Sequence, residues 1–339
     1  MTVSDGIVSV LIPTRNEACH IGACIAAIAA QDFPLDRLEV VVVDGTSRDG
    51  TADVAVGALA ERGFARTEVV TNPEGTTPSN LNAGLAVVRG MYVCRVDARS
   101  LVPPDYVRRC IDVLASRSEV VVVGGSQRAV PPRRGAVGVG IARALNNRWA
   151  MGFSRYRRGA LSGPSDTVYL GAFRTADLRA AGGWSLDFPT NQDFELNRRL
   201  GRTGVVWFEA GLAVGYVPRE SIGALFAQYR RFGRWKSRYW RTTGDRPRPR
   251  QMVLLASPLP VIAALLVAVR RRRLGGVALL AGLGAATVAT AEALGSDEPD
   301  AGPAGHAAGV VAMAAVGLGW LTGVAAGVVE GVWRRRAPG

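Results

Sequence analysis

The sequence predicts an α/β protein: a doubly wound, mostly parallel sheet followed by a C-terminal helical membrane segment. Three observations carry that expectation. Short apolar runs of strand length alternate with helical stretches in the first half of the chain. Two of those runs stop on an aspartate, just beyond the strand ends where open α/β sheets bind ligands. Past Gln251 the composition shifts to long uncharged stretches bordered by arginine clusters.

The elements follow in order. Residues 7–12 form the first apolar run, which ends at Pro13, and Asn16 is placed to cap a helix carrying Ile21, Ile25 and Ile28 at helical spacing. Residues 39–43 form a second buried strand that stops at Asp44. A third lies around residues 68–71. The fourth, residues 91–96, stops at Asp97, and the fifth, residues 120–123, runs into Gly124 and Gly125. Turns favour aspartate in any protein, so Asp44 and Asp97 do not by themselves settle a site.

Composition narrows the chemistry. An apolar fraction of 48% with 20% charged residues excludes a disordered chain. The four cysteines show no CxxC spacing, which argues against a zinc ribbon or a disulfide scaffold. His20 and His306 are the only imidazoles, 286 positions apart in the chain, which disfavours two-histidine metal sites and Ser-His-Asp hydrolases. No GxGxxG follows the first strand and no GxxxxGK[ST] occurs, so dinucleotide and P-loop cradles are missing. Carboxylates and arginines must carry whatever chemistry occurs.

Charge organises the second half. Residues 219–273 hold 13 arginines and Lys236 against Glu220 and Asp245, nearly the whole net charge of +13. Because this charge flanks apolar runs, it points to an anionic membrane surface rather than to nucleic acid. Residues 274–291 and 304–329 are long enough to span a bilayer, whereas residues 253–269 are short, contain Pro258 and Pro260, and read as re-entrant. Arginines 270–273 and 334–336 flank a loop with Asp297, Glu298 and Asp300, so the positive-inside rule puts both arginine clusters and the first 250 residues in the cytoplasm of an inner-membrane protein. Gly319, Gly323 and Gly327 recur every fourth residue, a stripe against which another helix could close. The expected division is residues 1–218 as the catalytic domain, 219–250 as a basic interfacial segment and 251–339 as the membrane region.

Eight motifs now carry a resemblance. They are VSVLIPTRNE at residues 8–17, VVVDGTSRDGT at 41–51, SNLNAG at 79–84, RVDARS at 95–100, YLGAF at 169–173, GGW at 182–184, NQDFELNRRL at 191–200 and QYRRFGRW at 228–235. In this order and spacing they resemble the inverting family 2 glycosyltransferases of the GT-A fold, in particular the branch named for succinoglycan biosynthesis, which makes bacterial surface polysaccharide.

The resemblance implies transfer of a hexose from a nucleotide-diphosphate sugar, a UDP-sugar by preference, to a lipid-linked or glycan hydroxyl. A nucleotidyltransferase or a non-catalytic membrane scaffold on the same sheet is the alternative. The resemblance gives Pro13, Arg15, Glu17, Asp44 and Asn82 to the nucleotide pocket. Asp97 matches the first acid of the family's DxD motif and would hold a divalent cation, Mg2+ or Mn2+, against the diphosphate. The third position departs, with Arg99 in place of the second acid, so Arg99 either contacts phosphate or merely solvates the loop. Asp193 matches the general base, preceded here by Gln192 where the family has an acid, and Glu195 is the fallback. Trp184 either stacks on an acceptor sugar or fills the core. Gln228, Arg231, Arg234 and Trp235 resemble, out of register, the QxxRW acceptor-side element, and otherwise form an amphipathic helix on lipid headgroups.

Overall fold

The computed structural model describes residues 6–60, 62–147, 149, 161–256, 284, 287–294 and 302–336. The first four strands are β1 (Val8–Thr14), β2 (Leu38–Asp44), β3 (Arg66–Thr71) and β4 (Tyr92–Arg95). They are parallel, with β1 between β2 and β4 and β3 outside β2. All seven residues of β1 and of β2 are buried, which is why both read as unbroken apolar runs.

Alternation along these strands feeds two helical layers. Val8, Val10 and Ile12 face the helices α1 (Ala18–Ala29), α2 (Thr51–Leu59) and α4 (Tyr106–Ser116), where Ile21, Ile25, Ala55 and Leu114 complete the core. Leu11, Val41 and Val43 face α3 (Thr77–Val87) through Leu81 and Leu85, together with Trp184, Leu196 and Leu200.

Beyond β4 the sheet changes character. β5 (Ser100–Leu101), β6 (Val120–Ala129), β7 (Gly163–Pro164), β8 (Tyr169–Arg174) and β9 (Val205–Tyr216) complete the order β3-β2-β1-β4-β8-β6-β9-β5, with β7 on β9. β8 is antiparallel to both β4 and β6, so the sheet is parallel on one side only. β8 and β9 lie outside the five strands expected from apolar runs. Their burial alternates instead of running continuously, as half-covered antiparallel strands do. Two short helices, α6 (Thr175–Ala180) and α7 (Gln192–Leu200), follow β8.

The chain falls into two compact units. One draws on Met1–Arg128 with Ser154–Val217 and holds the sheet; the other draws on Ala129–Phe153 with Pro218–Gly339, and its described residues are mainly helical. The first unit thus ends at Val217, while the segment from Ala129 groups with the second, although the sequence reading kept it within residues 1–218. Its helix α5 (Ala136–Asn146) explains why: a Cβ on Gly140 would lie 2.5 Å from the Ala308 carbonyl carbon, so α5 packs directly on the long helix α10 (Gly302–Arg336).

In the second unit α8 (Ile222–Thr243) lies along the glycine stripe of α10. A Cβ on Gly323 would sit 2.0 Å from the Arg230 carbonyl oxygen, and one on Gly327 2.0 Å from Ser237 Oγ, so only glycine admits this approach. Trp240 and Trp320 meet edge to face at 6.1 Å. The buried Arg143–Glu292 pair, at 2.6 Å, ties α5 to the helical residues 287–294, and His306 of α10 joins Glu292 at 3.0 Å. Gly302–Gly331 is long and apolar enough to cross a bilayer, with a mean hydropathy of 1.8. Residues 253–256 close helix α9 (Pro249–Ala256), and 284 and 287–291 are helical. The rest of the expected 253–269 and 274–291 segments, arginines 270–273 and the acidic loop lie outside the described residues.

Candidate active site

The order of the sheet creates the site. The chain passes from β1 outward to β2 and β3, then returns to the other side of β1 with β4, so the loops after β1 and β4 diverge at their carboxyl ends. Pairing of β1 with β4 stops at Leu11 and Arg95, with a last bond from Val96 N–H to the Leu11 carbonyl. Pro13 follows on the same edge of β1. It has no N–H to offer a partner, and the ladder ends before it.

The loops after β1 and β2 are knitted together. Asp44, 4% exposed, closes the end of β2 by accepting the Ser47 N–H at 2.9 Å and the Ser47 hydroxyl at 2.5 Å. Asn16 does not cap α1. Its backbone is left-handed at φ 55°, and its Oδ1 accepts the Arg48 N–H at 2.9 Å. The α1 terminus is served instead by Asp49, which accepts the Ala18 N–H at 3.1 Å. Asn80, 2% exposed, donates to the Thr14 carbonyl at 3.1 Å, while Arg15 donates to the Gly75 carbonyl at 3.2 Å. Ser47, Asp49 and Asn80 were not singled out from the sequence, although all three lie inside the quoted motifs.

Asp97 follows β4. Arg95, 6% exposed, grips its two oxygens through Nε at 2.8 Å and Nη2 at 3.2 Å. Burial opposes the Arg95 charge, but the carboxylates of Asp97 and Asp193 outweigh it and hold the guanidinium above the ordinary arginine range. Arg95 therefore holds Asp97 and lies within electrostatic reach of Asp193, a role the sequence reading left unassigned. Arg99 reaches across to Glu17 of the first loop, its Nε lying 2.9 and 2.7 Å from the two carboxylate oxygens. Behind these loops Cys24, Cys94 and Cys110 are buried, and burial pushes the Cys94 thiol up to about 12, so these thiols supply no nucleophile.

Asp193 is exposed near the start of α7, after Asn191 in a left-handed backbone at φ 66°. Thr46, in the second loop, is left-handed as well, at φ 58°. Strained residues thus sit in three of the loops that carry the candidate acids. Thr14 Oγ1 and Asn191 Nδ2 are buried with no hydrogen-bond partner among the described residues. Such orphans cost roughly 1–3 kcal/mol and call for an explanation, such as a ligand group that completes them.

Three expected contacts resolve differently. Trp184 is 1% exposed, edge to face with Phe173 at 5.9 Å, and so fills the core instead of offering a face to an acceptor sugar. Asn82 spends its amide on the Trp184 backbone, donating to its carbonyl at 2.7 Å and accepting its N–H at 2.9 Å, and is not turned to a nucleotide. Glu195 holds Arg199 at 2.9 and 3.1 Å, and Arg199 in turn donates to the Gly183 carbonyl at 2.7 Å. These groups form a junction that fixes α7 to the turn before it.

Gln228, Arg231, Arg234 and Trp235 all lie on α8 in the second unit. Arg234 and Arg231 are exposed, Gln228 and Trp235 half-buried. Arg234 pairs with Glu330 of α10 at 2.9 Å, and the Arg238 guanidinium covers Trp235 at 4.7 Å.

The donor set tests whether a divalent cation suits Asp97. Among the described residues no three His, Cys, Asp or Glu side chains converge. A single carboxylate suffices for magnesium or manganese where substrate phosphates and waters fill the other positions. The residues therefore fit a cation that arrives with a diphosphate, not one caged by protein.

Comparison with known proteins agrees with this geometry. Residues 9–169 match the family described as Glycosyl transferase family 2. The chain is 31% identical over 264 residues to the succinoglycan biosynthesis protein ExoA of Rhizobium meliloti (strain 1021), covering 77% of this chain and 78% of that one. It is 24% identical over 232 residues to a dolichyl N-acetyl-alpha-D-glucosaminyl phosphate 3-beta-D-2,3-diacetamido-2,3-dideoxy-beta-D-glucuronosyltransferase of Methanococcus voltae, covering 67% and 71%. Its fold is similar to that of the mannosyltransferase PcManGT from Pyrobaculum calidifontis, solved with GDP-Man and Mn2+, at a TM-score of 0.62 and 24% identity over 92% of this chain and 87% of that one.

Proposed function

The chain belongs to glycosyltransferase family 2 and is a glycosyltransferase, and on that premise we propose that it moves a hexose from a UDP-sugar to a lipid-linked or polysaccharide hydroxyl, with inversion at the anomeric carbon. The observation that carries this reading is the grouping of Glu17, Asp44, Asp97 and Arg99 on the loops around the β1–β4 switch point, with Arg95 holding Asp97.

In this reading Asp44 receives the uracil or ribose, while Pro13, Arg15 and Glu17 wall the pocket. Asp97 would hold a divalent cation whose charge offsets that developing on the diphosphate. Asp193 accepts the acceptor hydroxyl proton as its oxygen bonds to the anomeric carbon. The bond from that carbon to the diphosphate oxygen breaks, and the electron pair leaves with the nucleoside diphosphate. Arg95 keeps Asp97 in one orientation and lies within electrostatic reach of the base.

The same reading holds the enzyme at the cytoplasmic face of the inner membrane through its helical unit. The arginines of α8 require water or headgroups. Gln228, Arg231, Arg234 and Trp235 would meet the acceptor or its phosphates there.

The decisive test is Asp193→Asn. Turnover falls by at least about 10²-fold, the low end for loss of a general base, while UDP affinity measured by calorimetry stays near wild type. Wild-type turnover in this variant would remove Asp193 from the mechanism.

A further inference from the structure

We propose that Glu17 is a displaceable stand-in for the donor diphosphate: it holds Arg99 before the nucleotide arrives, yields it to phosphate, and recaptures it when the nucleoside diphosphate leaves. This rests on the reading of the β1–β4 crevice as the nucleotide site and goes beyond it by assigning an exchange to two of its residues.

The geometry is that of a side-chain latch between fixed backbones. Glu17 and Arg99 stand on the loops after β1 and β4, the strands that flank the switch point, and their side chains are 14% and 16% exposed. The Glu17 N–H donates to Thr51 Oγ1 at 2.9 Å, and its carbonyl takes the N–H groups of His20 and Ile21, both at 2.9 Å. The Arg99 carbonyl accepts the Val217 N–H at 3.0 Å, and Ser100 pairs with Tyr216 across β5 and β9. With both backbones anchored, breaking the pair needs only rotamer changes.

The chemistry of the pair fits an exchange. Guanidinium binds carboxylate and phosphate in the same planar, charge-assisted manner, so a diphosphate oxygen can replace a Glu17 oxygen without another change in the site. Arg99 stands two residues from Asp97, and Asp97 already holds Arg95. A carboxylate on Arg99 balances the second cation until phosphate takes its place. Because the pair must open for phosphate to bind, the apparent affinity is the intrinsic affinity multiplied by the fraction of molecules that are open. The same competition speeds departure of the product.

The experiment is titration of UDP into the full-length protein in detergent, with and without Mg2+, comparing wild type, Glu17→Gln, Arg99→Gln and the double variant. Glu17→Gln keeps shape and hydrogen bonding but loses the charge. It is expected to tighten UDP about threefold to tenfold and to slow its dissociation. Arg99→Gln is expected to weaken UDP about tenfold. In the double variant the gain from Glu17→Gln disappears, since no arginine remains to be released.

An unchanged or weaker UDP affinity in a Glu17→Gln protein that melts like wild type would overturn the exchange. So would a gain that persists in the Arg99→Gln background. Failure of the underlying site looks different: Asp44→Asn would then leave UDP affinity untouched, whereas failure of the exchange alone leaves Asp44→Asn impaired. If neither UDP nor GDP binds the wild type, both readings fall.

Discussion

The two ends of the parallel strands treat charge in opposite ways. At the amino end, near the starts of β1 and β2, Glu39 is 1% exposed and fully used. It accepts the Ser9 hydroxyl, the Arg66 guanidinium and the Arg89 N–H, the last at 2.8 Å, and Ser9 Oγ also takes the Gly90 N–H at 2.9 Å. At the carboxyl end Asp97 holds Arg95, Glu17 holds the Arg99 that phosphate would take in the proposed exchange, Asp193 is exposed, and the flanking backbone is strained. Both ends carry carboxylates and arginines. What separates them is whether the partners can be exchanged, and that follows from topology: only the carboxyl ends have loops that diverge.

Breaking one group at each end sharpens this contrast most. Glu39→Ala removes the acceptor of three donors and is expected to cost about 3 kcal/mol in urea unfolding, with UDP affinity of the folded fraction unchanged. Asp193→Asn, at an exposed group, is expected to shift unfolding by no more than about 0.5 kcal/mol while lowering turnover. Equal stability losses at both ends would erase the distinction.

Acid tests the same contrast more gently. Burial raises the Glu39 pKa, but the Arg89 N–H, Ser9 and Arg66 outweigh it, and the group ends below the ordinary glutamate range. A depressed folded-state pKa contributes stability that is fully present above the unfolded-state value, about 4.3, and is lost as pH falls through the folded value. Glu39→Gln should therefore flatten the decline in stability below about pH 4. A decline as steep as wild type would assign acid sensitivity to other carboxylates.

How far the sequence could be read follows from the same physics. β1, β2 and β4 were legible because strands covered on both faces become continuous apolar runs, and Asp44 and Asp97 were legible because they end such runs. β8 and β9 were not, since Gly171 and Gly211 and a half-covered pattern give no such run. Asn82, Trp184 and Glu195 looked like ligand contacts because residue type does not reveal whether a polar partner will be substrate or chain. The structure gives each a partner within the chain, Asn82 a backbone 102 residues away, beyond the reach of any local pattern. Arg95 was passed over for the converse reason. A strand-end arginine reads as solvated, and its burial against Asp97 exists only once the sheet is assembled. The glycine stripe of α10 was readable as a docking face, but not that α8 would occupy it.

Glu195→Gln carries the smallest expected effect and the sharpest distinction. Glu195 and Asp193 stand two residues apart on one helix and are equally good bases by residue type. Their surroundings differ: Asp193 is exposed after a strained residue, whereas both Glu195 oxygens are held by Arg199, whose Nη2 also reaches the Gly183 carbonyl. Glutamine can still accept from Arg199, so only the charge of an i, i+4 pair is lost, worth about 0.3–0.5 kcal/mol. Turnover should stay within about twofold of wild type, since no proton passes through this group in the proposed mechanism. A 10²-fold drop would make Glu195 the base, because a positioning role through Arg199 would survive the change to glutamine and a proton-accepting role would not.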